Sequence, residues 1–163
     1  MKPKEKLASL VEAVTKKKIT AKEFVEYFKS ASDTEKGTCA DAMKHISKEK
    51  PEILAPYIDE LIGYINYDVP RVKWGIPEAI GNMSQRFPKE TEKAIPKLMV
   101  NTKDKSTVIR WCAAYGLTEI AKNNDKTRKE LLPLFESMVK KETNNGVRNV
   151  YVKALRLIAK DKR

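Results

Sequence analysis

The chain is poor in the residues that most often carry chemistry. Its 163 residues include one histidine, His45, and two cysteines, Cys39 and Cys112. A lone histidine rules out a zinc site built on two imidazoles, and an exposed polar role is expected for it. The cysteines have no metal-type spacing and no disulfide framework is expected, so both read as small buried helix residues. Glycine is scarce, and no glycine-rich phosphate loop, CxxC pair or nucleophile elbow occurs. No apolar run is long enough to span a bilayer. The opening MKPKEKLASLVEAV has its apolar patch interrupted by Glu12, so a signal peptide is not expected. A single cytoplasmic domain, residues 1–163, with reduced thiols and no membrane partner is the expectation.

Charge is plentiful. Lys and Arg number 33 against 22 Asp and Glu, a net charge of +11. Residues 51–120 carry nine basic and nine acidic side chains, and residues 121–163 carry twelve and five. The positive field therefore gathers toward the C-terminal end, and the excess suggests an acidic partner, nucleic acid being the first candidate. The plain alternative is a lysine-rich helical surface that only keeps copies apart.

Helical periodicity runs through the chain. Residues 4–17 read as an amphipathic helix with Leu7, Leu10, Val11 and Val14 on one face and Lys16, Lys17 and Lys18 at its C-terminal end. Thr20 followed by Glu23 is a capping-box signature for a second helix burying Phe24, Val25 and Phe28. The stretch STVIRWCAAYGLTEIA, residues 106–121, places Val108, Ile109, Ala113, Leu117 and Ile120 on one stripe, with Cys112, Ala113 and Gly116 small enough for close helix approach. Setting Lys36, Lys73, Arg110 and Arg148 in register gives intervals of 37, 37 and 38 residues. Six positions on, the column reads Ala42, Ala79, Gly116, Ala154; seven on, Met43, Ile80, Leu117, Leu155; ten on, Ile46, Met83, Ile120, Ile158. Each of the last three such helices follows another with an internal proline, Pro56, Pro96 or Pro133, expected to bend it. Two helices per unit, a period in the high thirties and no strand signal indicate an α-solenoid.

The segments AIPKLMVNTKDKSTVIRWCAAYGLTEIAK and LLPLFESMVKKETNNGVRNVYVKALRLIAK resemble HEAT repeats, with a proline in the first helix, an acidic turn and Val-Arg or a near equivalent opening the second. The fold class expected is all-α: a right-handed α-solenoid of about four HEAT-like helical hairpins (19–50, 51–87, 88–124, 125–163) with an N-terminal capping helix (1–18). The resemblance implies that Asp104, Arg110 and Arg148 form a structural ladder of stacked hydrogen bonds, Glu142 standing six residues before Arg148 as Asp104 does before Arg110. It also implies that the second helices line a concave binding surface.

At 100° per residue, the positions facing away from the apolar stripe are Asp41, Lys44, His45 and Lys48; Trp74, Glu78, Asn82 and Gln85; Trp111, Tyr115, Thr118, Glu119 and Lys122; and Asn149, Lys153, Arg156 and Lys160. Of these, Trp74, Glu78, Trp111, Tyr115, Lys122, Lys153, Arg156 and Lys160 are the candidate binding residues. The two tryptophans either present stacking faces to a partner or pack into the joint between units as core. The leading reading is a non-enzymatic scaffold for a protein or peptide, without cofactor or metal. The alternative is a nucleic-acid-binding protein related to HEAT-like DNA alkylation-repair glycosylases, in which Trp74 and Glu78 echo an aromatic–carboxylate pair. Glu78 and Glu119, in neighbouring units of the outward face, are a candidate carboxylate pair for acid–base work, against the plain reading of surface carboxylates among lysines.

Overall fold

A computed structural model describes residues 2–161, and among these residues all regular structure is helical. Local signals decide where each helix starts. Pro3, Pro51, Pro70 and Pro88 each open a helix, where a missing N–H costs no bond. Elsewhere Thr20, Ser32, Ser106 and Asn124 accept a hydrogen bond from the backbone N–H three residues on. The expected Thr20–Glu23 capping box is complete in both directions.

The chain begins with α1 (Pro3–Thr15), α2 (Ala21–Ser30) and α3 (Asp33–Glu49). Helix α1 stops two residues earlier than its periodicity implies. Lys17 turns to φ 59°, and the N–H groups of Lys16, Lys17 and Lys18 cap the last carbonyls. Next come α4 (Pro51–Leu54), a 3-10 turn at Ala55–Tyr57, α5 (Ile58–Ile62) and α6 (Pro70–Met83). The following stretch repeats this pattern: α7 (Pro88–Thr91), a 3-10 turn at Glu92–Ala94, α8 (Ile95–Asn101) and α9 (Thr107–Lys122). Helices α10 (Asp125–Lys141) and α11 (Asn145–Asp161) complete it.

The expected bent helices take a different form. Around Pro56 and Pro96 the helix breaks into pieces joined by a 3-10 turn, and each proline sits within the first two positions of a new piece, where no N–H is needed. Only α10 runs unbroken through its proline, Pro133. Helix α6 holds a proline that periodicity did not single out, Pro77.

Packing follows the register columns. Helix α3 packs on α6, α6 on α9 and α9 on α11, while α2, α5, α8 and α10 each pack on the helix that follows. Helix α1 packs on α3. Every residue of the three columns is buried except Leu155, which is half-buried. Each fully buried Ile, Leu or Met contributes roughly 1.5–3 kcal/mol, so this seam is the main source of stability. Glycines set the helix spacing at two crossings. A methyl on Gly75 would lie 2.4 Å from the Ala40 carbonyl oxygen, and one on Gly116 would lie 3.1 Å from the Pro77 carbonyl oxygen. Helices α3, α6 and α9 thus touch backbone to backbone. Val108 departs from the expected stripe: it is 48% exposed while Ile109 is buried. At the first turn of α9, the stripe starts one residue later than the spacing implied.

Candidate binding face

Helices α3, α6, α9 and α11 pack on one another in sequence order, and the candidate binding residues lie along this row. Its centre is aromatic. Trp111 and Tyr115, four residues apart on α9, lie one turn from each other and stack with ring centroids 5.7 Å apart and planes 7° apart. Trp111 is 37% exposed. Tyr115 is half-buried, and its hydroxyl donates to Asn82 Oδ1 on α6. Asn82 in turn donates from Nδ2 to Ser47 Oγ (3.1 Å) and the Lys44 carbonyl (3.2 Å) on α3. One asparagine therefore ties three helices and fixes the tyrosine, and through it the face on which Trp111 rests. Burial, then the charges of Glu119 and Glu78, push the Tyr115 phenol up to about 12, which keeps it a neutral donor.

The second tryptophan behaves differently. Trp74 is half-buried, and its Nε1 is enclosed without a hydrogen-bond partner. The two indoles are not equivalent: Trp111 is 37% exposed, whereas Trp74 is half-buried with its Nε1 closed off from solvent. Thr118, expected to face outward, is buried, and its hydroxyl donates back to the Ala114 carbonyl at 2.8 Å. Glu78 is half-buried and 3.5 Å from Cys112 Sγ, so the carboxylate accepts from the thiol. Burial and then the Glu78 charge raise the Cys112 pKa, and burial pushes Cys39 up to about 12; both stay thiols at neutral pH.

Charge on the face changes from end to end. Near α3, Asp41 collects Lys44 (3.4 Å), Arg71 (3.7 Å) and the exposed His45 (3.8 Å). Lys122 pairs with Glu119 at 3.2 Å, and with Lys48, Gln85 and Tyr115 they surround a shallow pocket of about 350 Å³. On α11, Lys153, Arg156 and Lys160 are exposed. Among the described residues no carboxylate lies within ion-pair distance of Lys153 or Arg156. The uncompensated positive charge sits beside the aromatic pair's helix, on its C-terminal neighbour.

The ladder residues pair across units. Arg110 forms a double hydrogen bond with Glu142, Nε to Oε2 and Nη2 to Oε1, both 3.2 Å, and its Nη1 donates to the carbonyls of Asp104 and Lys105. Lys73 reaches forward to Asp104 in the same sense, at 3.4 Å. Asp104 and Glu142 thus serve the basic residues of the preceding units, Lys73 and Arg110, although Lys73 lies equally close, 3.4 Å, to Asp68 just before its own helix. Arg148 consequently does not meet Glu142 and bonds Asn145 instead. At the start of the series, Lys36 is buried and its ammonium is held by the carbonyls of Lys29 (3.0 Å) and Ala31 (2.7 Å).

The bridging residues Asn82, Asn66 and Asn101 carried no sequence signal beyond their type. Asn101, 2% exposed, donates to the Ile65 carbonyl (2.8 Å), and Asn66 Nδ2 donates to Asn101 Oδ1 and the Lys97 carbonyl (both 2.9 Å). Among the described residues, no three His, Cys, Asp or Glu side chains come together as a metal site would require, and no helix is long and apolar enough to cross a membrane. Neither known protein-family models nor curated proteins give a match to this chain.

Proposed function

We propose that the chain is a short right-handed α-solenoid of four HEAT-like hairpins, capped by α1, that works as a non-enzymatic scaffold. Its ligand is an acidic segment of another protein, held on the outward face of α3, α6, α9 and α11. The observation that carries this reading is the exposed Trp111 stacked on Tyr115. A large aromatic held rigid by a hydrogen-bonded neighbour gives contact area at little entropic cost. Lys122, Lys153, Arg156 and Lys160 supply the charge that steers and orients an acidic partner. The 37-residue registration of buried columns supports the repeat assignment.

A second reading, single-stranded nucleic acid, rests on the same parallel aromatic pair beside uncompensated cations, since bases stack on such platforms. Glycosylase-like chemistry has no comparable support, because Glu78 is engaged by the Cys112 thiol and Trp74 is half-buried.

Fluorescence anisotropy of a labelled glutamate-rich peptide and of a labelled oligothymidine, at low and moderate salt, tests both. Scaffold function requires saturable peptide binding that Trp111→Ala weakens about tenfold or more, with a modest salt effect. Tight oligothymidine binding whose steep salt slope falls in Lys153→Ala or Arg156→Ala would replace it with the nucleic-acid reading. Equal peptide binding by wild type and Trp111→Ala would remove the aromatic anchor from either account.

A further inference from the structure

The first helices carry a second opening, independent of the outward face of the second helices. Between α8 and α10 runs a groove of about 880 Å³. Its floor includes Met99, 39% exposed, and Val100, 60% exposed, with Leu134 and Met138 half-buried across from them. The register explains why it is open. Leu98 and Phe135 are 37 residues apart and both fully buried, so the two helices share one register. Asn101, which ties α8 to the chain before it, then corresponds to Met138 on α10. Methionine has no N–H to reach across with, and nothing draws α10 onto α8 at that level.

The rim is basic. Asp104 lies in the wall but accepts from the Ser106 N–H at 2.9 Å and faces Lys73 at 3.4 Å. Glu142 is occupied by Arg110. Lys103 and Lys141 are exposed, with no carboxylate within ion-pair distance among the described residues. An apolar floor under two free ammonium groups is complementary to one kind of ligand. We infer that the α8–α10 groove docks an acidic segment of another protein that carries apolar anchor side chains. A second copy of this chain is a poor occupant, because it brings a net charge of +11 to a basic rim. Nucleic acid would satisfy the lysines and leave the floor uncovered. The two methionines suit a peptide whose anchors vary, since their unbranched, polarisable side chains repack around different shapes.

The test is methyl NMR of the methionines during titration with a synthetic peptide that has leucines at i, i+3, i+4 and i+7 and glutamates between them. The Met99 and Met138 methyl resonances are expected to shift saturably, while those of the fully buried Met43 and Met83 stay in place. The same peptide with lysine in place of glutamate should leave all of them unmoved. Met138→Asn and, as a surface change that does not touch the core, Lys103→Glu with Lys141→Glu should each weaken binding about tenfold. Trp111→Ala should leave the Met99 and Met138 titration curves unchanged whatever it does to binding on the outward face, which separates the two sites. Four results would overturn the inference: no shift of Met99 and Met138, equal shifts with the lysine peptide, shifts on raising protein concentration alone, and displacement of the glutamate peptide by oligothymidine.

Discussion

Two junctions between neighbouring first helices occupy the same place in the register and are closed by different chemistry. Ahead of α8, Asn101 is buried and reaches the Ile65 carbonyl while Asn66 closes the return path, so every amide in the joint is satisfied. Beyond α8, the corresponding residue is Met138, and among the described residues the side-chain hydrogen bonds across the joint lie at its ends. At one end stands the Arg110–Glu142 pair; at the other, Asn124 Nδ2 donates to the Pro88 carbonyl and to Glu92, both at 3.2 Å. In the second-helix row, Gly75 and Gly116 bring α3, α6 and α9 into close approach, and Asn82 bridges the same three helices. The row fixes the architecture, and the outer layer is free to be sealed in one place and open in the next.

The largest way to break this contrast is at the end tie. Arg110→Ala leaves the Glu142 side chain, 7% exposed, without its guanidinium, and should cost about 3 kcal/mol in urea unfolding. Asn101→Ala should cost about 2 kcal/mol by leaving the Ile65 carbonyl and the Asn66 amide unpaired. Asn101→Met, which gives the sealed joint the residue of the open one, should cost about as much and expose Asn66 to faster amide exchange. Met138→Ala should cost under about 1 kcal/mol, because the side chain is already half in water.

The smallest effect concerns pH. Burial raises the Glu142 carboxyl, but hydrogen bonds from Arg110 and from the Asn144 and Thr143 backbone outweigh it, and the net shift is downward. Asp104 is lowered by the Ser106 N–H against burial, with Lys73 and Arg110 adding to the lowering. A depressed folded-state pKa means stability that is complete above the ordinary carboxylate range and lost as pH falls through the folded value. Acid titration below pH about 4.5 should therefore destabilise wild type more than Arg110→Ala, as read by the urea midpoint at each pH.

Much of this was legible from the amino acids. Periodicity located the helices, and residues of the three register columns are buried, with Leu155 half-buried, because helices that pack in series need an apolar contact stripe at each crossing. Exposure was legible only to within a turn: Val108 and Thr118 fell on the wrong side, and Trp74 proved half-buried where Trp111 is open. A helix wheel gives direction, but which neighbour covers that direction depends on the approach distance that Gly75 and Gly116 set. The resemblance implies a ladder stacked through successive units, and spacing adds only that Asp104 and Glu142 stand six residues before Arg110 and Arg148. Spacing alone cannot say that an arginine long enough to bridge a helix joint will pair forward. Nor does an asparagine announce its partner in sequence, so the Asn82 and Asn101 bridges emerged only from the packing.

On this packing the row of α3, α6, α9 and α11 is the rigid body of the molecule and the outer layer its variable part. Native-state hydrogen exchange tests it most directly. The slowest amides should fall in residues 76–83 of α6 and 113–121 of α9. The amides of α8, bounded by a 3-10 turn and an open groove, should exchange through smaller local openings. Equal protection of α8 and α9, or early exchange in α9, would contradict the claim.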